Sequence, residues 1–269
     1  MKKILLIDAY NMIHRSRFGW SKGDHAITYT FFRSLKSEID RHSPDKVYIV
    51  SEGRPKHRIL LNADYKGDRK PIKDEGFHRQ KREIFDVCKL LPLSFIRHPD
   101  YECDDVIGHL SSCVHKKDEV TICSSDSDFI QLLDKENISL WNPVKKKFVE
   151  PWPVDYLTWK SLRGDKSDNV PGIKGVGDKT AMKLASDMSL LEKFLTPDKR
   201  KIYESARLQI ELSDLTKDSN KIEQCDYTFD SEELFIVFEK FGFTSITKKS
   251  WRKWLDIMEN LNEKSKSLS

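Results

Sequence analysis

Short apolar runs that end at a carboxylate recur along this chain. Ile4 to Ile7 runs into Asp8, Val47 to Val50 leads to Glu52, and Val120 to Cys123 stops just before Asp126 and Asp128. Runs of four apolar residues are too short for buried helices, and their continuity marks strands covered on both faces, as in a parallel sheet. Between the first two runs, Ile27, Phe31, Leu35 and Ile39 recur at helical spacing until Pro44 breaks the pattern, which completes a βαβ unit. Ser94 to Ile96, Val120 to Cys123 and Ile138 to Trp141 are read as three further strands, and Val106 to Val114 as a helix opened by Glu102, Asp104 and Asp105. The expected fold is α/β, a central mostly parallel sheet flanked by helices.

An open α/β sheet places ligands at the carboxyl ends of its strands, where these acidic residues fall. Converging carboxylates repel one another unless cations lie between them, so the pattern predicts hard divalent ions held by oxygen, Mg²⁺ foremost, with Mn²⁺ able to substitute. A covalent aspartyl mechanism at Asp8 would want a second Asp two residues on, and position 10 is Tyr10. Glu102, Asp104 and Asp105 exceed what a helix cap requires. Asp126 and Asp128, in Ser-Ser-Asp-Ser-Asp, would read as a turn if they stood alone.

The 269 residues carry 47 Lys/Arg against 43 Asp/Glu, a net charge of +4 that is unevenly spread. Arg54 to Arg82 holds ten basic and four acidic residues, so a surplus of +6 stands beside the acidic clusters. That suits a polyanionic substrate, although a basic run is also an ordinary solvated face. The five cysteines lack any CxxC and indicate neither a disulfide framework nor a zinc site. With no apolar run of about 18 residues and no signal peptide, a cytoplasmic protein is expected.

After Pro151 the pattern turns helical, beginning with Val154 to Leu162, and the boundary between residues 1–150 and a helical domain over 151–261 is set there, with 262–269 as a disordered tail. This second part contains Asp165 and Asp168, then Gly172-Ile173-Lys174-Gly175-Val176-Gly177, with Lys179 and Thr180 opening the next helix. Glycines at this spacing give a tight hairpin whose backbone N–H groups face a phosphate, the helix-hairpin-helix pattern for holding a DNA backbone without reading its sequence. Lys248 to Trp254, basic and aromatic, is read as an amphipathic packing helix.

Five motifs together resemble the flap endonuclease and 5′ to 3′ exonuclease family. They are Ile7-Asp8-Ala9-Tyr10-Asn11, Asp64-Tyr65-Lys66-Gly67-Asp68-Arg69, Tyr101-Glu102-Cys103-Asp104-Asp105, Ser124-Ser125-Asp126-Ser127-Asp128, and Gly164 to Gly172. The resemblance implies a PIN-like 5′ nuclease domain with a helical arch over about 66–91 and a C-terminal helix-hairpin-helix domain. By it, Asp8, Glu102, Asp104, Asp126 and Asp128 hold a first metal, Asp105 sits in or beside that shell, and Asp165 and Asp168 serve a second. Glu52 stands where the family has Asp and is a further candidate. Lys66 and Arg69 contact the scissile phosphate, Arg15 a neighbouring one, and Tyr65 stacks on a base. Gly172, Lys174, Gly175, Gly177, Lys179 and Thr180 grip DNA, with K⁺ held at the three glycines.

The implied activity is divalent-metal-dependent hydrolysis of DNA at 5′ flaps, nicks and gaps, by exonuclease and endonuclease cuts, with RNA primers on DNA as a further substrate. A monomer is expected, acting as a free-standing nuclease beside replication partners such as a polymerase or a single-strand-binding protein. Two alternatives stand beside this: a catalytically silent DNA-structure-binding protein, and an RNase on the same scaffold.

Overall fold

The computed structural model describes residues 1–19 and 21–267. Its first half runs β1 (Lys3–Asp8), α1 (Ala9–Ser16), α2 (Ala26–His42), β2 (Lys46–Ser51), α3 (Lys56–Leu61), α4 (Glu75–Cys88), β3 (Ser94–Arg97), α5 (Cys103–His109), β4 (Glu119–Cys123), β5 (Ile138–Asn142) and β6 (Lys147–Phe148). Then come α6 (Tyr156–Arg163), β7 (Gly164–Asp165), β8 (Val170–Pro171), α7 (Asp178–Ala185), α8 (Met188–Phe194), α9 (Pro197–Ile210), β9 (Glu223–Asp226), α10 (Ser231–Lys240), α11 (Thr244–Thr247) and α12 (Trp251–Lys266).

Seven strands form one sheet in the order β6-β5-β4-β1-β2-β3-β9, parallel at its centre and antiparallel at both edges. The expected strands are all present, and β1 shows why continuous apolar runs form them. Ile4 and Leu6 face one layer with α5, α6 and α7, while Leu5 and Ile7 face the other with α2, α4, α10 and α12. Each such Leu or Ile, fully buried, contributes roughly 1.5–3 kcal/mol. Between the exposed Lys3 and the strand's end neither face carries a polar residue, and the next one is Asp8.

Two expectations about domain limits are corrected. The helical part that begins near residue 151 does not continue to 261. β9 pairs antiparallel with β3, and Leu234, Phe238, Trp254, Met258 and Leu261 close the face opposite the hairpin, so the last third of the chain returns to the first domain. The disordered tail over 262–269 is also corrected through residue 266: α12 runs to Lys266 because Trp254, Met258 and Leu261 anchor it to the core, while residues 268–269 lie outside the described residues. Of the Lys248 to Trp254 stretch, residues 248–250 form a turn and the helix begins at Trp251, where buried Trp254 packs it on the core.

The helical arch over 66–91 is corrected as well. Residues 68–74 form no helix, and α4 lies against the body with Phe77, Ile84, Val87 and Cys88 buried. Gln80 Oε1 accepts from the Ile27 N–H at 2.8 Å, fastening α4 to the start of α2. Apolar residues at helical spacing on α4 have a core to enter, so this segment packs instead of arching free.

Candidate active site

Five elements deliver the acidic residues to one end of the sheet. Asp8 is the last residue of β1 and caps α1 by accepting from Asn11 N–H at 2.9 Å, and it also accepts from the Ser124 hydroxyl at 2.8 Å. Glu52 follows β2, Glu102 and Asp104 open α5, Asp126 and Asp128 follow β4, and Asp165 ends β7. The positive end of the α5 dipole partly offsets the charge there. Asp8, Cys103 and Asp104 offer ligand atoms all within 4.8 Å of one another.

The cluster's ionisations show how little of its charge is neutralised. Burial raises Asp104 well above the ordinary carboxylate range, and Asp126, Asp8 and Glu52 push it further. Burial pushes Glu52 up to about 7, reinforced by Glu102 and Asp8 and opposed by Lys66. Asp8 is raised by burial too, against its hydrogen bonds from Asn11 and Ser124. Burial raises Asp128 to about 6 although Lys160 pulls it down. Asp165 differs: burial works to raise it, but Lys160 and Ser167 outweigh that and hold it near about 2.

Lys160 is the group that reading the sequence missed. It projects from α6 to pair with Asp128 and, at 2.7 Å, with Asp165. Its signal was present in the sequence, since it interrupts Tyr156-Leu157-Thr158-Trp159 and Ser161-Leu162, a run buried throughout. A lysine buried in such a run needs carboxylate partners.

The loop 62–69 is clamped against the β7–β8 hairpin. Lys66 N–H donates to Asp168 O at 3.0 Å, and across the same seam the Asn62 side chain donates to Asn169 O and the Asn169 side chain to Asp64 O. Lys66 sits at φ 55°, a left-handed conformation costly for a residue with a Cβ, which such clamping sustains. Its ammonium pairs with Glu102 and lies 3.6 Å from Asp168, while Arg69 pairs with Asp168. Both cations therefore stand at the edge of the cluster. Arg15 is half-buried, with Cys123, Glu38 and Asp8 as its electrostatic neighbours.

Two expected roles fail on geometry. Asp105 is not a metal ligand: it is 0% exposed, and Arg58, itself 2% exposed, grips both its oxygens at 2.6 and 2.7 Å. The Ser213 and Glu102 N–H groups take its remaining acceptor capacity at 2.8 and 3.2 Å. Tyr65 does not stack on bases, because its ring is buried and its hydroxyl faces Glu102 at 2.9 Å and Asp168 at 3.2 Å. Burial beside those carboxylates holds the phenol protonated.

Next to the cluster, α6, the β7–β8 hairpin and α7 form the helix-hairpin-helix unit. Gly172 is required by close approach, since a Cβ there would stand 2.0 Å from Arg163 O, and Gly175 by its φ of +84°. Lys174, Lys179 and Thr180 are exposed around the turn and the first turn of α7. An acidic cluster thus adjoins a cationic surface.

Fold and site together define a class: nucleases built on a parallel α/β sheet with carboxylates at its strand ends. The chain belongs to the 5′–3′ exonuclease family. The family description "5'-3' exonuclease, N-terminal resolvase-like domain" matches residues 3–156, and "5'-3' exonuclease, C-terminal SAM fold" matches residues 152–234. A 5'-3' exonuclease of Aquifex aeolicus is 36% identical over 216 residues, covering 72% of this chain and 73% of that one. DNA polymerase I of Thermus filiformis is 32% identical over 225 residues, 78% of this chain but 27% of the polymerase's length. Among solved structures, the phage T5 D15 protein co-crystallised with metal ions has a TM-score of 0.62 at 16% identity, covering 99% of each chain. Flap endonuclease-1 of Methanococcus jannaschii has 0.63 at 13%, covering 100% of this chain and 94% of its own.

Proposed function

We propose that this protein is a divalent-metal-dependent, structure-specific 5′ nuclease that cuts DNA at the junction of a 5′ single strand with duplex, and RNA primers annealed to DNA. The observation that carries this reading is the under-neutralised carboxylate cluster of Asp8, Glu52, Asp104, Asp126 and Asp128 beside Lys66, Arg69 and the hairpin. A donor set of carboxylates suits a hard ion, Mg²⁺ first and Mn²⁺ as substitute, and raised ionisations are what such groups show when cations are needed between them. The T5 protein has been crystallised with DNA and metal ions, which supports the same ligands here. K⁺ at Gly172, Gly175 and Gly177, action as a monomer, and cooperation with a polymerase or single-strand-binding protein belong to the same proposal.

The chain's own residues divide the work. Asp8, Glu52, Asp104 and Asp126 would hold one ion, with Glu102 at its edge, and Asp128, Asp165 and Asp168 a second. Divalent ions there would supply an activated water and offset charge on the attacking and leaving oxygens. Lys66 and Arg69 give up carboxylate partners to neutralise the phosphate as its charge develops. Lys160 bridges Asp128 and Asp165 and orients both. Lys174, Lys179, Thr180 and the N–H groups of the hairpin hold the duplex backbone, and Arg15 takes a phosphate near Asp8.

The test is cleavage of labelled 5′-flap DNA with Mg²⁺, with EDTA, and with Asp128→Ala. Metal-dependent cutting near the junction, lost in the variant, is expected. Tight binding without cutting in either Mg²⁺ or Mn²⁺ would point instead to a DNA-structure-binding protein, and cleavage of single-stranded RNA with indifference to flaps to an RNase.

A further inference from the structure

On the far side of α5 from the carboxylate cluster, the helix widens into a π turn over Leu110–Val114. His109, the last residue of α5, and Cys113 in the π turn stand with Asp214 so that one ligand atom from each lies within 4.8 Å of the other two. They line a cleft of about 330 Å³ that also contains the carboxylates of Asp155 and Glu211.

The three side chains are unequal in a telling way. His109 is 7% exposed, its Nδ1 is wholly buried without a hydrogen-bond partner, and its Nε2 makes no hydrogen bond among the described residues. A buried ring nitrogen is normally hydrogen-bonded, and leaving Nδ1 unmet costs about 1–3 kcal/mol. The Cys113 thiol is exposed, and it too makes no hydrogen bond among the described residues. Asp214 Oδ1 accepts from Thr216 N–H at 2.9 Å and from its hydroxyl at 2.5 Å, which fixes the carboxylate. The neighbouring basic group of the cleft, Lys135, donates to Ser112 at 2.7 Å.

We infer that His109, Cys113 and Asp214 form a transition-metal site, for Zn²⁺ or an ion of similar preference, separate from the nuclease centre. One nitrogen, one sulfur and one oxygen make a borderline-soft donor set, which Zn²⁺ takes and Mg²⁺, with its demand for oxygen, does not. Ligand atoms around tetrahedral zinc stand roughly 3.3–3.7 Å apart, so side-chain rotations of about 1 Å close the site, with a fourth position left for water. Widening of a helix into a π turn is common at functional sites.

The site would be structural. It ties α5 and its π turn to the segment Glu211–Asp214, which leaves the hairpin domain. That segment supplies Glu211 O, which accepts from Arg58 at 3.0 Å, and Ser213 N–H, which caps Asp105 at 2.8 Å. Metal at Asp214 thereby braces the groups that hold the first turn of α5, and with it Glu102 and Asp104, in place. This inference does not depend on the nuclease reading.

Cys225, also exposed, gives the experiment an internal control. The metal-stripped protein, with excess Mg²⁺ to occupy the catalytic carboxylates, is alkylated with iodoacetamide with and without one equivalent of Zn²⁺, and each cysteine is followed by peptide mass spectrometry. Zn²⁺ is expected to slow modification of Cys113 about tenfold or more, because the coordinated sulfur is withdrawn from reaction, and to leave Cys225 unchanged. Asp214→Asn, an exposed position that folding tolerates, and His109→Ala should each abolish the protection. Co²⁺ should give a thiolate charge-transfer band that is lost in Cys113→Ser and kept in Asp128→Ala. Equal Zn²⁺ effects on Cys113 and Cys225, no protection of Cys113, or a Co²⁺ band that survives Cys113→Ser would overturn the assignment.

Discussion

Asp104 and Asp105 are consecutive residues in the first turn of one helix, yet they meet opposite fates. Asp104 turns toward Asp8, Glu52 and Asp126, where every near neighbour but Lys66 is acidic, and its proton is held far above the usual range. Asp105 points about 100° round the helix into Arg58 and two backbone N–H groups and is fully matched within the protein. Charge matched inside the chain builds structure, and charge left unmatched marks the place where the chain waits for something else. The same contrast separates Asp165, held down near about 2 by Lys160 and Ser167 against its burial, from Glu52, raised to about 7 by burial and its acidic neighbours.

The sharpest way to press this comparison is on activity. Asp104→Asn should reduce flap cleavage by about 10³-fold, several kcal/mol of transition-state stabilisation, with little change in the Kd for DNA measured in Ca²⁺. Arg58→Ala attacks the other side and should cost about 3–5 kcal/mol in denaturant unfolding, since it leaves Asp105 buried and uncompensated. Adding Asp105→Asn to Arg58→Ala should recover part of that loss.

Without metal, the carboxylates raised by burial also set a pH dependence. Glu52 and Asp128 have folded-state values of about 7 and about 6, above their ordinary 4.5 and 3.8, so folding favours their protonated forms. Their contribution is fully present below about 4 and is lost as pH rises through 6 to 7. In EDTA, Tm should therefore fall between pH 5 and pH 8 by roughly 5 °C, Glu52→Gln should flatten that fall, and saturating Mg²⁺ should cancel it. The smallest effect belongs to the hairpin: Lys174→Ala and Lys179→Ala should each weaken DNA binding a few-fold and reduce the slope of log K against log salt by about 0.9.

Much of this was legible in the sequence for a physical reason. Strands buried on both faces must be continuously apolar, so β1, β2 and β4 announced themselves, and the carboxylates at their ends could only fall at the sheet's carboxyl edge. β9 could not be read, because Glu-Gln-Cys-Asp is an exposed edge strand with no apolar alternation to betray it. The end of the helical domain at 261 failed with it, since the return of the chain to β3 hangs on that strand.

In the site, residue type was readable but direction was not. Asp105 looked like its neighbour because its partner Arg58 lies 47 residues earlier, on α3, and was counted only as part of a basic run. Tyr65 looked like a stacking surface because nothing local shows that its hydroxyl meets Glu102 and Asp168. His109, Cys113 and Asp214 escaped because no short spacing links residues 109 and 214.

The measurement that tests the central claim most directly is the melting temperature of Asp104→Asn and Asp105→Asn, each in EDTA and in saturating Mg²⁺. If Asp104 is unmatched charge awaiting a cation, Asp104→Asn melts above the parent in EDTA and gains little from Mg²⁺. If Asp105 is matched within the fold, Asp105→Asn melts below the parent yet keeps the parent's Mg²⁺ increment. The same response to Mg²⁺ in both variants, or a lower metal-free Tm for Asp104→Asn than for Asp105→Asn, would contradict the division drawn here.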